Sequence, residues 1–255
     1  MNTIDNLLER DWSVTLLQFS LGCGFFSKVF YESPSLQFVG RLVADDLFEE
    51  WPLADDSDDT CTGLTLLRSF CEAWSPAQVD RLQSDYLRLF VGPGQPLAPP
   101  WESYYLSQEH LLFQEQTLGV RADYKRFGLQ APRFNNEPDD QLGLEFAFLL
   151  HLCTLGQAAL ERGDRAAPRP PASPWPPARA GQGCGPDAAA LDETLQAQRH
   201  FLSAHLLRWA PQCLELIAEQ ASTNYYRGAG YLARGFLTDM AKTLGVPIRL
   251  GALVR

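Results

Sequence analysis

The sequence predicts an all-α protein, and three observations predict it. Apolar residues recur at helical spacing almost everywhere, and the regular apolar–polar alternation that marks strands is nearly missing. Ser, Pro and Gly also fall where helices should start and stop. With 255 residues, 45% of them hydrophobic and 20% charged, the chain is long enough to bury a substantial core in one large domain or two small ones.

Taken in order, helices are expected over about residues 6–31, 35–49 and 60–74. The next, 75–91, has the clearest signals. Ser75 and Gln78 make a capping box, Pro76 takes the first helical position, and Val79, Leu82, Tyr86 and Leu89 form one stripe. Gly92-Pro93-Gly94 should stop it. Helices follow over 106–118 and 138–161. The second carries Leu142, Phe146, Leu149 and Cys153 on one side and Leu144, Phe148, His151 and Leu155 on another, so it should be central and buried. Helices at 188–209, 211–222 and 225–244 complete a bundle of about eight to ten, with Pro211 suited to a helix start. Between them, 163–187 is dense in Pro, Gly, Ala and Arg and reads as a flexible or polyproline linker or an insertion. The expected organisation is therefore an N-terminal helical part, 1–162, this linker, and a C-terminal helical part, 188–255. The two parts either pack together or exchange between protomers, giving a monomer or a domain-swapped dimer.

The formal net charge of −10 repels a phosphate backbone and favours basic partners, and no basic patch offsets it, so nucleic acid is not an expected partner. Six scattered cysteines form no C-x-x-C pair and read as reduced structural thiols. Acidic residues stand near the N-terminus where a signal peptide needs a basic region. No apolar run approaches the roughly 20 residues that span a bilayer. A cytoplasmic, unanchored protein is expected.

The sequence carries no catalytic constellation: no G-x-S-x-G elbow and no P-loop. The five-residue step from His200 to His205 should leave the two rings on different helical faces, and no H-E-x-x-H pattern occurs, so no metal site is expected. Asp139 and Asp140 read first as helix-start carboxylates that cap and meet the dipole. Two segments stand out. From Tyr86 to Leu106 a helix runs into a proline-rich loop holding Phe90, Trp101, Tyr104 and Tyr105, rings that either plug the loop onto the core or form a preset apolar groove. The other is a carboxylate cluster, Asn136-Glu-Pro-Asp-Asp-Gln-Leu-Gly143, at the head of the buried helix.

Together, LFVGPGQPLAPPWESYYL (89–106) and NEPDDQLG (136–143) resemble the paired motifs of the DmsD/TorD family, L-F-x-G-P, P-P-W-x-S-x-x-L and N-E-P-x-D-H-x-G. The stretch 205–248 is similar in its LxxW segment and YxxxxxLA spacing. The resemblance implies an all-helical fold and a non-enzymatic chaperone. Such a chaperone holds the twin-arginine leader of a molybdopterin enzyme's catalytic subunit until its cofactor is inserted, then releases it to the export machinery. It implies no cofactor of the chaperone's own beyond a transient contact with the molybdopterin cofactor or with GTP. Carried over, the leader-binding residues are Tyr86, Leu89, Phe90, Pro100 and Trp101 of the first motif and Glu137, Pro138, Asp140 and Gln141 of the second. Carboxylates suit paired arginines, and aromatic and proline surfaces suit the apolar turn that follows them. Gln141 stands where close relatives carry His, while Tyr86 and Gly94 stand where a relative can carry Trp. A chaperone for a leaderless metalloenzyme and a guanine-nucleotide-binding protein are the alternative functions.

Overall fold

The computed structural model describes residues 10–53, 57–161 and 187–248. Among them no strand forms, and the all-helical expectation holds. The start of the first expected helix and nearly all of the 163–187 segment lie outside the described residues.

Two long apolar helices make the centre. Helix α1 (Trp12–Tyr31) starts at Asp11, whose carboxylate accepts from the Ser13 and Val14 amides and so satisfies two of the donors that every helix start leaves free. It buries Phe19, Cys23, Phe26 and Phe30 against helix α7 (Leu142–Glu161), whose residues from Leu142 to Cys153 are all buried. Phe26 meets Phe146 and Phe236, with ring centroids 5.2 and 5.3 Å apart. Both central helices are long and apolar enough to cross a membrane, which corrects the reading that no such run exists. Most of each is buried inside the bundle, which accounts for the apolarity without a bilayer.

Around this pair lie α2 (Leu36–Ala44), α3 (Asp58–Glu72), α4 (Val79–Tyr86), α5 (Glu102–Leu106), α6 (Glu115–Arg126), α8 (Ala188–Phe201), α9 (Leu207–Gln220) and α10 (Asn224–Leu244). The Ser75–Gln78 capping box forms as expected, over a short 3-10 turn ahead of α4. After α4 the chain widens into a π turn (Leu87–Val91) and stops at Gly92, at a φ of 96°. Helix α10 crosses α3 closely because Gly63 and Gly228 face each other; a Cβ on Gly63 would lie 2.6 Å from the Leu232 amide nitrogen.

Three expected elements shift. Residues 106–118 are not one helix: α5 ends at Leu106, a loop containing His110 and Phe113 at positive φ follows, and α6 starts at Glu115. The central helix starts at Leu142 rather than Pro138, because the Asp140 carbonyl and the Leu142 amide are bonded to Glu102 and Pro100 of the first motif while Asp139 is held by Arg121. Pro211 does not start a helix. It is the fifth residue of α9, which follows a second π turn (Leu202–Leu206), so the missing amide costs a single early bond.

The C-terminal helices pack on the N-terminal ones. Asp85, buried on α4, accepts from the Ser222 and Thr223 amides and the Thr223 hydroxyl at 2.7–3.0 Å, and so anchors the start of α10. At the other end of the linker, the Asp187 amide donates to the Ala159 carbonyl at 2.9 Å, so the chain re-enters the fold beside the point where it left.

Candidate functional site

The two family-like motifs, far apart in sequence, meet. Trp101 and Gln141 form an isolated antiparallel bridge, in which the Leu142 amide donates to the Pro100 carbonyl at 2.8 Å and the Glu102 amide to the Asp140 carbonyl at 3.0 Å. The loop ahead of this bridge is folded back on the first π turn, with the Ala98 amide donating to the Leu89 carbonyl at 2.9 Å.

Most of the motif side chains, however, face inward. Leu89, Phe90, Pro100, Pro138, Asp140 and Gln141 are all buried. Asp140 accepts from the Ser103 amide at 2.6 Å, capping α5, and from the Thr117 hydroxyl at 2.7 Å, so both carboxylate oxygens are committed. Its neighbour Asp139 takes a two-pronged contact from Arg121 at 2.8 and 3.1 Å, while the Tyr124 hydroxyl donates to its carbonyl. Gln141 caps α7: its side-chain oxygen accepts from the Gly143 and Leu144 amides, and its NH2 donates to the Phe30 carbonyl at 2.8 Å. In this arrangement Asp140 and Gln141 are buried and already hydrogen-bonded within the fold. These six carried-over residues are thus packed inside the fold and do not line an open surface.

Three of the expected residues do reach solvent: Tyr86, Trp101 and Glu137, each partly exposed. The Glu137 carboxylate sits 3.4 Å from the Tyr31 hydroxyl and 3.7 Å from the Arg133 guanidinium. Partial burial raises its pKa above the ordinary carboxylate value, against the opposing pull of Arg133 and the Tyr31 hydroxyl. Tyr31 and Tyr86 are pushed up to about 12, by burial first and then by the Glu137 charge. The Tyr86 hydroxyl donates to the Tyr31 carbonyl at 2.8 Å, and its ring packs on Phe90 and Tyr226. Leu87 and Val91, on the adjoining π turn, are about half exposed. Tyr31 and Arg133 thus join the rim, and sequence reasoning missed them, because nothing local marks the end of α1 as a neighbour of residue 137.

Behind the bridge lies a second polar group. The His205 ring donates or accepts through Nδ1 at 2.8 Å from Glu102, and its Nε2 is 3.3 Å from Asp123; His200 Nε2 is 3.4 Å from the same Asp123 oxygen. Burial alone would lower the His205 pKa, but the Asp123 and Glu102 carboxylates outweigh it and push the ring up to about 9. Deeper in, burial holds the Glu145 carboxyl well above the usual range. Glu102 and Asp140 add to this, and the Trp209 N–H contact at 3.4 Å opposes it. Trp209 is the Trp of the LxxW segment. The expectation that His200 and His205 lie on different faces fails, since their ring centroids are 6.4 Å apart. In a regular helix, five residues leave side chains about 140° apart. The π turn at Leu202–Leu206 adds a residue to that turn and closes the angle.

A family model described as the nitrate reductase delta subunit matches residues 54–215. The chain is 25% identical over 252 residues to the Tat proofreading chaperone DmsD of Salmonella typhi, a match covering 97% of this chain and 98% of that one. It is 27% identical over 156 residues to the chaperone protein TorD of Vibrio cholerae, covering 61% and 59% of the two chains.

Proposed function

Because the chain belongs to the nitrate reductase delta subunit family and its relatives are chaperones of redox-enzyme maturation, we propose that it binds the twin-arginine signal peptide of a molybdopterin enzyme. On this reading it acts in the cytoplasm, without a cofactor of its own, and holds its client until the metal cofactor is inserted and export can proceed.

The observation that carries the reading is the convergence of the two motifs through the Trp101–Gln141 bridge beside a partly exposed carboxylate, Glu137, flanked by Tyr31 and Tyr86. A leader presents two guanidinium groups and then an apolar stretch. Glu137 supplies negative charge for the first, since a carboxylate can pair bidentately with a guanidinium. Tyr86, Trp101 and the exposed Leu87 and Val91 supply apolar area for the second. A net charge of −10 steers a basic peptide toward this surface. Leu89, Phe90, Pro100, Pro138, Asp140 and Gln141 then serve by fixing the shape of the loop rather than by touching the peptide.

Calorimetric titration of the full chain with twin-arginine leaders of molybdopterin enzymes, against Lys-Lys versions, tests this. Saturable binding of the Arg-Arg forms, weakened by roughly 1–4 kcal/mol in Trp101→Ala, is the expected outcome. Equal binding of both peptide forms, or none, would overturn it.

A further inference from the structure

We propose that Asp123, His200 and His205 form a binding site for a divalent first-row transition ion, of the zinc or cobalt kind. This assignment is independent of the leader-binding reading and uses none of its residues. One ligand atom from each of the three side chains falls within 4.8 Å of the others. Asp123 Oδ2 is 3.3 Å from His205 Nε2 and 3.4 Å from His200 Nε2. Metal–ligand bonds of about 2.0–2.2 Å at a tetrahedral angle hold neighbouring ligand atoms about 3.3–3.6 Å apart, so both Asp123–His separations are those of a coordination edge. The same Asp123 oxygen is buried and lacks a hydrogen-bond partner of ordinary geometry, although both rings are close to it.

Three further features fit a built site. His205 is held by Glu102, fully buried on α5, through Nδ1 at 2.8 Å, which leaves Nε2 directed at Asp123. A carboxylate on the far ring nitrogen is the usual way a metal-binding imidazole is oriented and made more basic. Gly119, one turn before Asp123 on α6, lets the His205 ring lie against the helix, since a Cβ there would come within 3.2 Å of its Cε1. The π turn that brings the two histidines together is the kind of interruption found at functional sites more often than in plain helices. Two imidazoles and one carboxylate suit zinc, cobalt, nickel or ferrous ions over calcium or magnesium. Three protein ligands leave at least one position for water or for a donor from a client protein. The side chain of His200, 57% exposed, stands at the open edge.

The test uses tag-free, chelator-treated full-length protein titrated with Co2+ and then Zn2+. One equivalent should bind, giving visible cobalt bands without a thiolate charge-transfer band, and Zn2+ should displace it. His200→Ala, at an exposed position that the fold does not need, should weaken binding at least tenfold, as should Asp123→Asn. Unchanged affinity in both variants would overturn the assignment. So would a thiolate band placing the ion on cysteine, or the absence of stoichiometric binding at millimolar Co2+.

Discussion

At the residue scale, two carboxylates of one motif, three residues apart, have opposite fates. Asp140 is sealed, with two short hydrogen bonds, whereas Glu137 is held at the edge between Tyr31 and Arg133. Sequence alone placed both at the head of a buried helix but did not distinguish them, because which one turns inward depends on Ser103 and Thr117 from other elements. The difference has a pH signature. Glu137 has a raised pKa, mainly from burial, so it takes up its proton at a higher pH than an ordinary carboxylate. The protonated form cannot pair with a guanidinium. Leader affinity should therefore be full at neutral pH and fall as pH drops through that raised value. Glu137→Gln should bind about tenfold more weakly at pH 7 and lose the pH dependence. A wild-type titration series in which affinity is flat from pH 7 to 4.5, or a Gln variant that keeps the slope, would show that another group meets the arginines.

At the scale of elements, the legible parts were those with local grammar. The Ser75–Gln78 box with Pro76, and the largely apolar 142–153 stretch, are set by neighbours within one or two turns, and both formed as read. The illegible parts were set by distant partners. No residue pattern marks a π turn, so neither Leu87–Val91 nor Leu202–Leu206 could be seen, and with the second went the meeting of His200 and His205. Likewise the start of α7 moved to Leu142 because residues ahead of it pair with the Pro100–Glu102 strand-like segment. Gln141 is the joint there. It caps α7 through Gly143 and Leu144 and ties it to α1 through the Phe30 carbonyl. Gln141→Ala should cost about 2–4 kcal/mol, a lost cap plus a buried carbonyl left without its donor. Urea unfolding at constant slope measures this, and a loss below about 1 kcal/mol would mean that water or a neighbour takes over the bonds.

At the scale of the whole molecule, the bundle is held by two apolar helices at its centre and by polar joints such as Asp85 that tie late helices to early ones. The apolarity of α7 was plain in the sequence; that of α1 and the long-range joints were not, and Asp85 and Thr223 are 138 residues apart. A core of this kind makes any titratable group inside it a lever on global stability. His151 on α7 is buried, its Nε2 has no hydrogen-bond partner, and burial lowers its pKa below the ordinary 6.5. Above about pH 6.5 the ring is neutral in both folded and unfolded chains and costs nothing. Below it the unfolded chain takes up a proton that the folded one refuses, so stability falls as pH drops, by at most about 1.4 kcal/mol per pH unit from this residue. His151→Leu removes the proton acceptor and keeps an apolar side chain in place. The difference in unfolding free energy between wild type and variant should therefore be constant from pH 8 to 7, and should shift in favour of the variant from pH 6.5 to 5. A difference that stays constant down to pH 5 would mean that His151 accepts its proton in the folded state, which would require a water path or a carboxylate partner reaching into the centre of the bundle.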